Sequence, residues 1–277
     1  MYQIFNNHIT AYLDYLKEEE RATATIEKYT RDVHAFIVWL GNKSLDKDIA
    51  IAYKQHLAKT HKAASVNAAL AALNGFFAFM EWPIKLKPLK IQRQTFRAKE
   101  KELTRDEYKR LLRAASSNRN KRLNLVLQTI CSTGIRISEL RYITLEAIRR
   151  GQTEISNKGK IRTVFLPGKL QTALLRYTKT HGVTEGSVFV TKRGNPLDRS
   201  NIWSEMKKLC EDADVNPDKV FPHNLRRLFA RIFYGIDKDI MRLADILGHS
   251  DVNTTRIYLM ESGETHRRRV ERLGLVI

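Results

Sequence analysis

Two mainly helical domains, the second carrying a small antiparallel β-sheet, are the fold class that three features of this sequence predict. Apolar residues recur at helical spacing through most of the chain. One stretch breaks that period: from Gly151 to Pro167, β-branched residues alternate around Asn157-Lys158-Gly159-Lys160, the pattern of a tight hairpin. A length of 277 residues suits two ordinary domains, and 43% apolar content is enough to build their cores.

Residues 1–82 read as four helices. Ile9, Tyr12, Leu13 and Leu16 stripe the first. Ile26, Tyr29, Val33, Phe36, Ile37 and Leu40 stripe the second, with Thr23 or Thr25 available as its cap. Residues 46–57 make a shorter third helix and 65–80 the fourth, ended by Trp82-Pro83. The spacing of Phe76, Phe77 and Phe79 suits burial better than base stacking. Residues 83–102 form a basic linker with two prolines and no helical period. Its plain reading is a solvated connector. Its sharper reading, favoured by the charge, is a strap whose Lys85, Lys87, Lys90, Arg93 and Arg97 neutralise phosphates.

The second domain, 103–277, opens on Thr104 and Glu107, a capping box flanked by Leu103 and Tyr108 as a hydrophobic staple. A helix over 123–131 breaks at Thr133-Gly134, and Arg136 and Glu139 follow at i, i+3 on the next. After the hairpin come a helix at 170–181, a short strand at 188–190 and a helix at 199–214. Pro222 fits the first turn of a helix that sets His223 and Arg226 on one face. A further helix over 240–247 stops at Gly248, and His249 follows the stop. Ser250 or Asp251 can cap the short helix carrying Tyr258.

Lys and Arg exceed Asp and Glu by 19. Residues 1–100 hold 15 basic and 10 acidic side chains (+5), and 101–277 hold 34 and 20 (+14). An excess spread over both halves predicts attraction to a polyanion, with nucleic acid ahead of an anionic membrane. No 18-residue apolar run and no signal peptide appear, so a soluble, cytoplasmic protein is expected. Cys131 and Cys210 stand alone and suit a reducing compartment. No P-loop or dinucleotide fingerprint appears. Acidic clusters of the two-metal kind are missing, and His56 and His61 lack i, i+4 spacing, so neither metal nor cofactor is expected.

A guanidinium, two imidazoles and a phenol within forty residues suit anion chemistry, and the anion is phosphate. Singly, each candidate has a plain explanation: an ion pair for Arg136 and Glu139, solvation for Lys158, a local cap for His249, packing for Tyr258. Jointly, Arg136, Lys158 in its turn, His223-Asn-Leu-Arg226 and Leu247-Gly-His249-Ser with Thr254-Thr-Arg-Ile-Tyr258 resemble the tyrosine recombinase, or phage integrase, family in its Xer-like branch.

The resemblance covers nearly the whole chain. It implies a SAM-like helical core-binding domain, a catalytic domain, and a two-domain C-shaped clamp around double-stranded DNA. Tyr258 would attack a scissile phosphate to give a 3′-phosphotyrosyl link and a free 5′-hydroxyl. The covalent link conserves the bond energy for resealing without a nucleotide cofactor. A phenol of pKa about 10 needs help at neutral pH, and His223 would be its general base. Arg136 and Arg226 would hold the non-bridging oxygens, and His249 would add a hydrogen bond. Lys158, with Lys160 as its substitute, would protonate the leaving oxygen, and Glu139 would orient Arg136.

Arg227 departs from the family's usual second histidine, and Ala230 to Tyr234 do not look closely Xer-like. The resemblance therefore points to a mobile-element integrase ahead of a chromosome-dimer resolvase. It implies a monomer that assembles as a homo-tetramer on paired recombination sites through a Holliday junction. Accessory proteins and docking of the amphipathic tail at 263–277 on a neighbour go with that picture, and a membrane does not. A type IB topoisomerase and a non-catalytic DNA-binding regulator are the rival functions.

Overall fold

A computed structural model describes residues 2–91, 99–157, 160–191, 194–195, 197–260 and 263–275. The chain divides into two compact units, 1–93 and 94–277.

The first unit is built from α1 (Asn6–Glu18), α2 (Thr23–Leu40), α3 (Lys47–Thr60) and α4 (Ala63–Phe79). Their stripes meet in one core around Tyr12, Val33, Phe36, Leu73, Phe76 and Phe77. Each of these large apolar side chains contributes about 2 kcal/mol by leaving water. Asp46 caps α3 by accepting from the Ile49 amide at 2.8 Å. The expected threonine cap of α2 is not used: Ala22 occupies the cap position without a side-chain bond, and Thr23 is the first helical residue.

The segment expected to begin the basic linker is instead part of this unit. Ile84 and Leu86 are buried, whereas Lys85 and Lys87 between and after them are exposed. That is the alternation of an extended chain lying on a core. Two α4 side chains replace a partner strand. Asn74 exchanges bonds of 2.8 and 2.9 Å with the Leu86 backbone, and Asn67 exchanges bonds of 2.7 and 2.9 Å with Leu89. The boundary therefore falls after the prolines, because the apolar residues between them have a core to join.

The second unit contains α5 (Arg105–Ser117), α6 (Lys121–Thr133), α7 (Leu145–Arg150), β1 (Gln152–Asn157), β2 (Lys160–Phe165), α8 (Gly168–Thr180) and α9 (Arg199–Asp212). It continues with α10 (Pro222–Asp237), α11 (Ile240–Leu247), α12 (Val252–Leu259) and α13 (Gly263–Glu271). The capping box of α5 forms as expected, with Glu107 N to Thr104 Oγ1 at 3.1 Å and Thr104 N to Glu107 Oε2 at 2.7 Å. Helix α6 is central, packed by α5, α8, α9 and α10.

Three expectations need correction. Glu139 lies in a 3₁₀ segment, Ile137–Tyr142, that Arg136 caps, because the chain must turn sharply after the left-handed Gly134. Helix α7 was not foreseen; Thr144 caps it and Gly151 ends it within six residues, too few to show a period. The apolar run at 188–190 forms no ladder strand. It is held by Val188 N to Ile143 O at 2.9 Å beside an isolated Thr144–Ser187 bridge.

The hairpin pairs antiparallel with Ile155 opposite Arg162. Cross-strand partners share a face, and Ile155 is fully buried, so Arg162 faces inward. Ile161 and Phe165 point outward, each 70% exposed.

Candidate active site

The site assembles where α6 and α11 end. Both helices stop on a left-handed glycine, Gly134 at φ +68° and Gly248 at φ +64°. Neither position tolerates a side chain: a Cβ on Gly134 would lie 2.4 Å from the Phe229 ring, and one on Gly248 would lie 2.8 Å from Arg162 Nη1. The exposed carbonyls at these C-termini form an electronegative cleft. Arg226, on the first turns of α10, fills it. It is 1% exposed, donating from Nη1 to the Gly134 carbonyl and from Nη2 to the Leu247 carbonyl at 2.5 Å.

Two helix ends thus hold a buried cation that pairs with no carboxylate among the described residues. Burial, followed by repulsion from Arg136, pushes its pKa down to about 10, which still leaves it charged near neutrality. Its Nε is buried and finds no partner among the described residues. An orphaned charged donor costs on the order of 1–3 kcal/mol, so this position favours an incoming anion.

Arg136 caps the 3₁₀ segment. Its amide donates to Glu139 Oε2 at 2.7 Å, its Nη1 to Glu139 Oε1 at 3.1 Å, and its Nη2 to the Gly248 carbonyl at 3.4 Å. The inward Arg162 grips the same carboxylate with two nitrogens, at 3.1 and 2.6 Å, and gives its Nε to the Ile246 carbonyl at 3.1 Å. Burial works to raise the Glu139 pKa, but the bonds from Arg162 and Arg136 outweigh it and hold the carboxylate below the ordinary range. Glu139 is therefore a fixed negative strut between two arginines.

His249 directly follows Gly248. Its Nε2 lies 3.2 Å from Arg226 Nη2, and its Nδ1 2.8 Å from Thr255 Oγ1. Its ring stands 5.0 Å from that of Tyr258. Burial first, then Arg226, Arg136 and Arg162, brings its pKa down to about 4, so the imidazole is neutral at physiological pH. Tyr258, half-buried on α12, also has the Arg226 and Arg227 guanidinium groups at 6.0 and 5.4 Å from its ring. His223 is exposed at the rim of a cavity of about 600 Å³ lined by Arg136, Ser138, Arg199, Trp203 and Arg226. Loss of water around its ring, then the charges of Arg226, Arg227, Arg199 and Arg136, keeps its pKa below 6.5.

Five residues singled out from the sequence thus converge in two overlapping groups. Arg136, His223 and Arg226 line the cavity, while Arg226, His249 and Tyr258 touch one another. Glu139 sits behind them. Lys158, between β1 and β2 in sequence, lies outside the described residues, as do Arg93 and Arg97; of Lys160 only the backbone, at the start of β2, is described. Lys85, Lys87 and Lys90 are exposed on the first unit. Arg162, Thr255, Arg199 and Trp203 were not anticipated. The only sequence signal for Arg162 was its two-residue offset from Val164 and four-residue offset from Leu166, both buried.

A buried arginine, a half-buried one beside it, two histidines with lowered pKa and a tyrosine held against them make a site suited to an anion such as a phosphodiester. The phage integrase family pattern matches residues 101–264, and the phage integrase N-terminal SAM-like domain pattern matches residues 9–83. The chain belongs to the phage integrase family and is a tyrosine recombinase, an enzyme that breaks and rejoins DNA strands.

Among relatives, tyrosine recombinase XerA of Thermococcus kodakarensis is 29% identical over 282 residues, spanning 98% of this chain and 96% of its own. Tyrosine recombinase XerD of Halalkalibacterium halodurans is also 29% identical over 282 residues, spanning 91% and 92%. Among solved structures, a lambda integrase tetramer bound to a Holliday junction superposes with a TM-score of 0.74 at 18% identity, over 93% of this chain and 77% of that one. XerH bound to a palindromic difH substrate after cleavage gives 0.74 at 18%, over 96% and 88%. These two likenesses concern the fold.

Proposed function

We propose that this recombinase works in the cytoplasm on paired sites in double-stranded DNA, exchanging strands through a 3′-phosphotyrosyl intermediate and a Holliday junction. The observation that carries this reading is the buried Arg226, its Nε orphaned and its guanidinium beside both His249 and the Tyr258 ring. A phosphodiester seated there would meet permanent positive charge from Arg226 and Arg136.

Tyr258 attacks phosphorus. The bond to the 5′-oxygen breaks, and Lys158 supplies that oxygen's proton. His223 takes the phenol proton, a task its depressed pKa suits because the ring is unprotonated near neutrality. The free 5′-hydroxyl of the partner strand then reverses the step. The arginines supply the charge that stabilises the transition state, so no cofactor enters the scheme.

Assembly of free monomers into a homo-tetramer on DNA is supported by the lambda integrase tetramer on a Holliday junction. It is also supported by a C-terminal segment whose Val270, Leu273 and Leu275 are 50%, 62% and 81% exposed, available to dock on a neighbouring protomer. Service to a mobile element rests on the segment from Ala230 to Tyr234, which does not look closely Xer-like. A Xer-type resolvase of chromosome dimers is the second reading, favoured by end-to-end similarity to XerA and XerD. Accessory proteins would divide the two.

The test is a nicked suicide duplex carrying a candidate site, incubated with enzyme in EDTA and run on a denaturing gel. The expected result is a covalent adduct with the wild type and none with Tyr258→Phe. Tight site binding without any adduct would favour a regulator instead.

A further inference from the structure

His249 presents a chemical conflict that its neighbours resolve. An arginine side chain carries donors only, so the 3.2 Å contact with Arg226 Nη2 requires an unprotonated Nε2 on His249. The proton of the neutral ring is then on Nδ1, which donates to Thr255 Oγ1 at 2.8 Å. A phosphate oxygen, however, is an acceptor. In this tautomer the Nε2 lone pair would repel the group that the proposed reaction brings to it.

Two routes give Nε2 a proton. Protonating the whole ring works against burial and against Arg226, Arg136 and Arg162, with Glu139 alone opposing them. Exchanging tautomers leaves the charge unchanged. It needs a partner at Nδ1 that can donate as readily as it accepts. A carboxylate or carbonyl there would lock Nδ1–H in place; a hydroxyl does not. Thr255 is fully buried, so no water competes for that position, and it sits on α12 three residues before Tyr258.

We propose that Thr255 is a positioning residue for strand transfer, its hydroxyl holding His249 in either tautomer, so that Nε2 accepts from Arg226 before DNA binds and donates to the scissile phosphate afterwards. The proposal rests on the strand-transfer reading above. The exchange is neutral overall: Nδ1 loses one proton and Nε2 gains one, both traded with water while the half-buried ring is turned away from Thr255, and the Thr255 O–H then donates where it had accepted. The same contact ties the phosphate pocket to the helix carrying the nucleophile, so arrival of the phosphate is felt at Tyr258 through one hydrogen bond.

The experiment combines the ring signals of [15N]histidine-labelled protein, assigned with His249→Gln, and single-turnover adduct formation on the nicked duplex. In free wild type, Nε2 of His249 should show as the unprotonated nitrogen. In the DNA complex of Tyr258→Phe, Nδ1 should replace it. Thr255→Val keeps the shape and loses the hydroxyl, and should slow adduct formation by ~10–100-fold, the range for outer-shell partners of a functional histidine, with duplex affinity unchanged. Thr255→Ser should restore both the rate and the ring signals.

A protonated Nε2 in the free wild type would overturn the proposal, as would adduct formation at the wild-type rate by Thr255→Val. Absence of adduct from the wild type would count against strand transfer itself. The free-protein tautomer, read without DNA, would still decide the Thr255 contact.

Discussion

Arg162 shows how much of this site depends on a residue that touches no substrate in the proposed reaction. Its side chain is 11% exposed and that of Glu139 4%, so their two-nitrogen contact is screened little by water. Arg136 and Arg162 compete for one carboxylate, which fixes both guanidinium planes and ties strand β2 to the end of α11. In Arg162→Ala the buried carboxylate would keep Arg136 alone, which would then be drawn towards Glu139 and away from the cavity. The expected cost is about 3 kcal/mol of stability, measured by urea unfolding, together with slower adduct formation. Arg162→Lys restores the charge but not the fork and should recover less than half of either loss. Full recovery by lysine would mean that charge alone suffices there.

Among the elements, α10, α11 and the 3₁₀ segment act as one device, and their joint work sets the pH response. His249 is held at a pKa of about 4 when folded, against an ordinary 6.5. Between those values the unfolded chain binds more protons than the folded one, so stability is full above pH 6.5 and falls as the pH drops towards 4. His223, also depressed, adds in the same direction. Urea midpoints at pH 7 and pH 5 should therefore differ more for the wild type than for His249→Asn, and equal differences would refute the assignment to this ring.

The helices themselves were largely legible in the sequence because caps and stops are local chemistry: Thr104 with Glu107, Pro222, Gly134 and Gly248 act where the sequence places them. The clustering of Arg136, His223, Arg226, His249 and Tyr258 was legible too, through motifs that resemble the family's. Long-range decisions were not. In β2, Ile161 and Phe165 end up exposed while Arg162 faces inward, because the buried Glu139 needs Arg162. Helix α7 was too short to show a period, and the apolar run at 188–190 offered no clue that α7's cap, rather than a strand, would be its neighbour.

At the scale of the whole molecule, each of the two units carries its own part of the charge, and the first contributes more than a tether. Ile84 and Leu86 fasten the chain to that unit's core, and Asn67 and Asn74 hold its backbone. Lys54 adds a third tie by donating to the Lys87 carbonyl at 2.7 Å. The chain is thus extended before DNA arrives, with Lys85, Lys87 and Lys90 already facing water. Such a row loses little conformational freedom on meeting a phosphate backbone, so its contribution should be electrostatic and independent of sequence. Each phosphate neutralised on duplex DNA steepens the dependence of log K on log salt by about 0.9. Replacing the three lysines with alanine should lower the slope by roughly 2.7 if all three make contact, and weaken specific and random duplexes alike. Adduct formation at saturating protein should be unchanged, because the catalytic side chains lie in the other unit. An unchanged slope would leave these lysines as solubilising charge and remove them from the DNA contact surface.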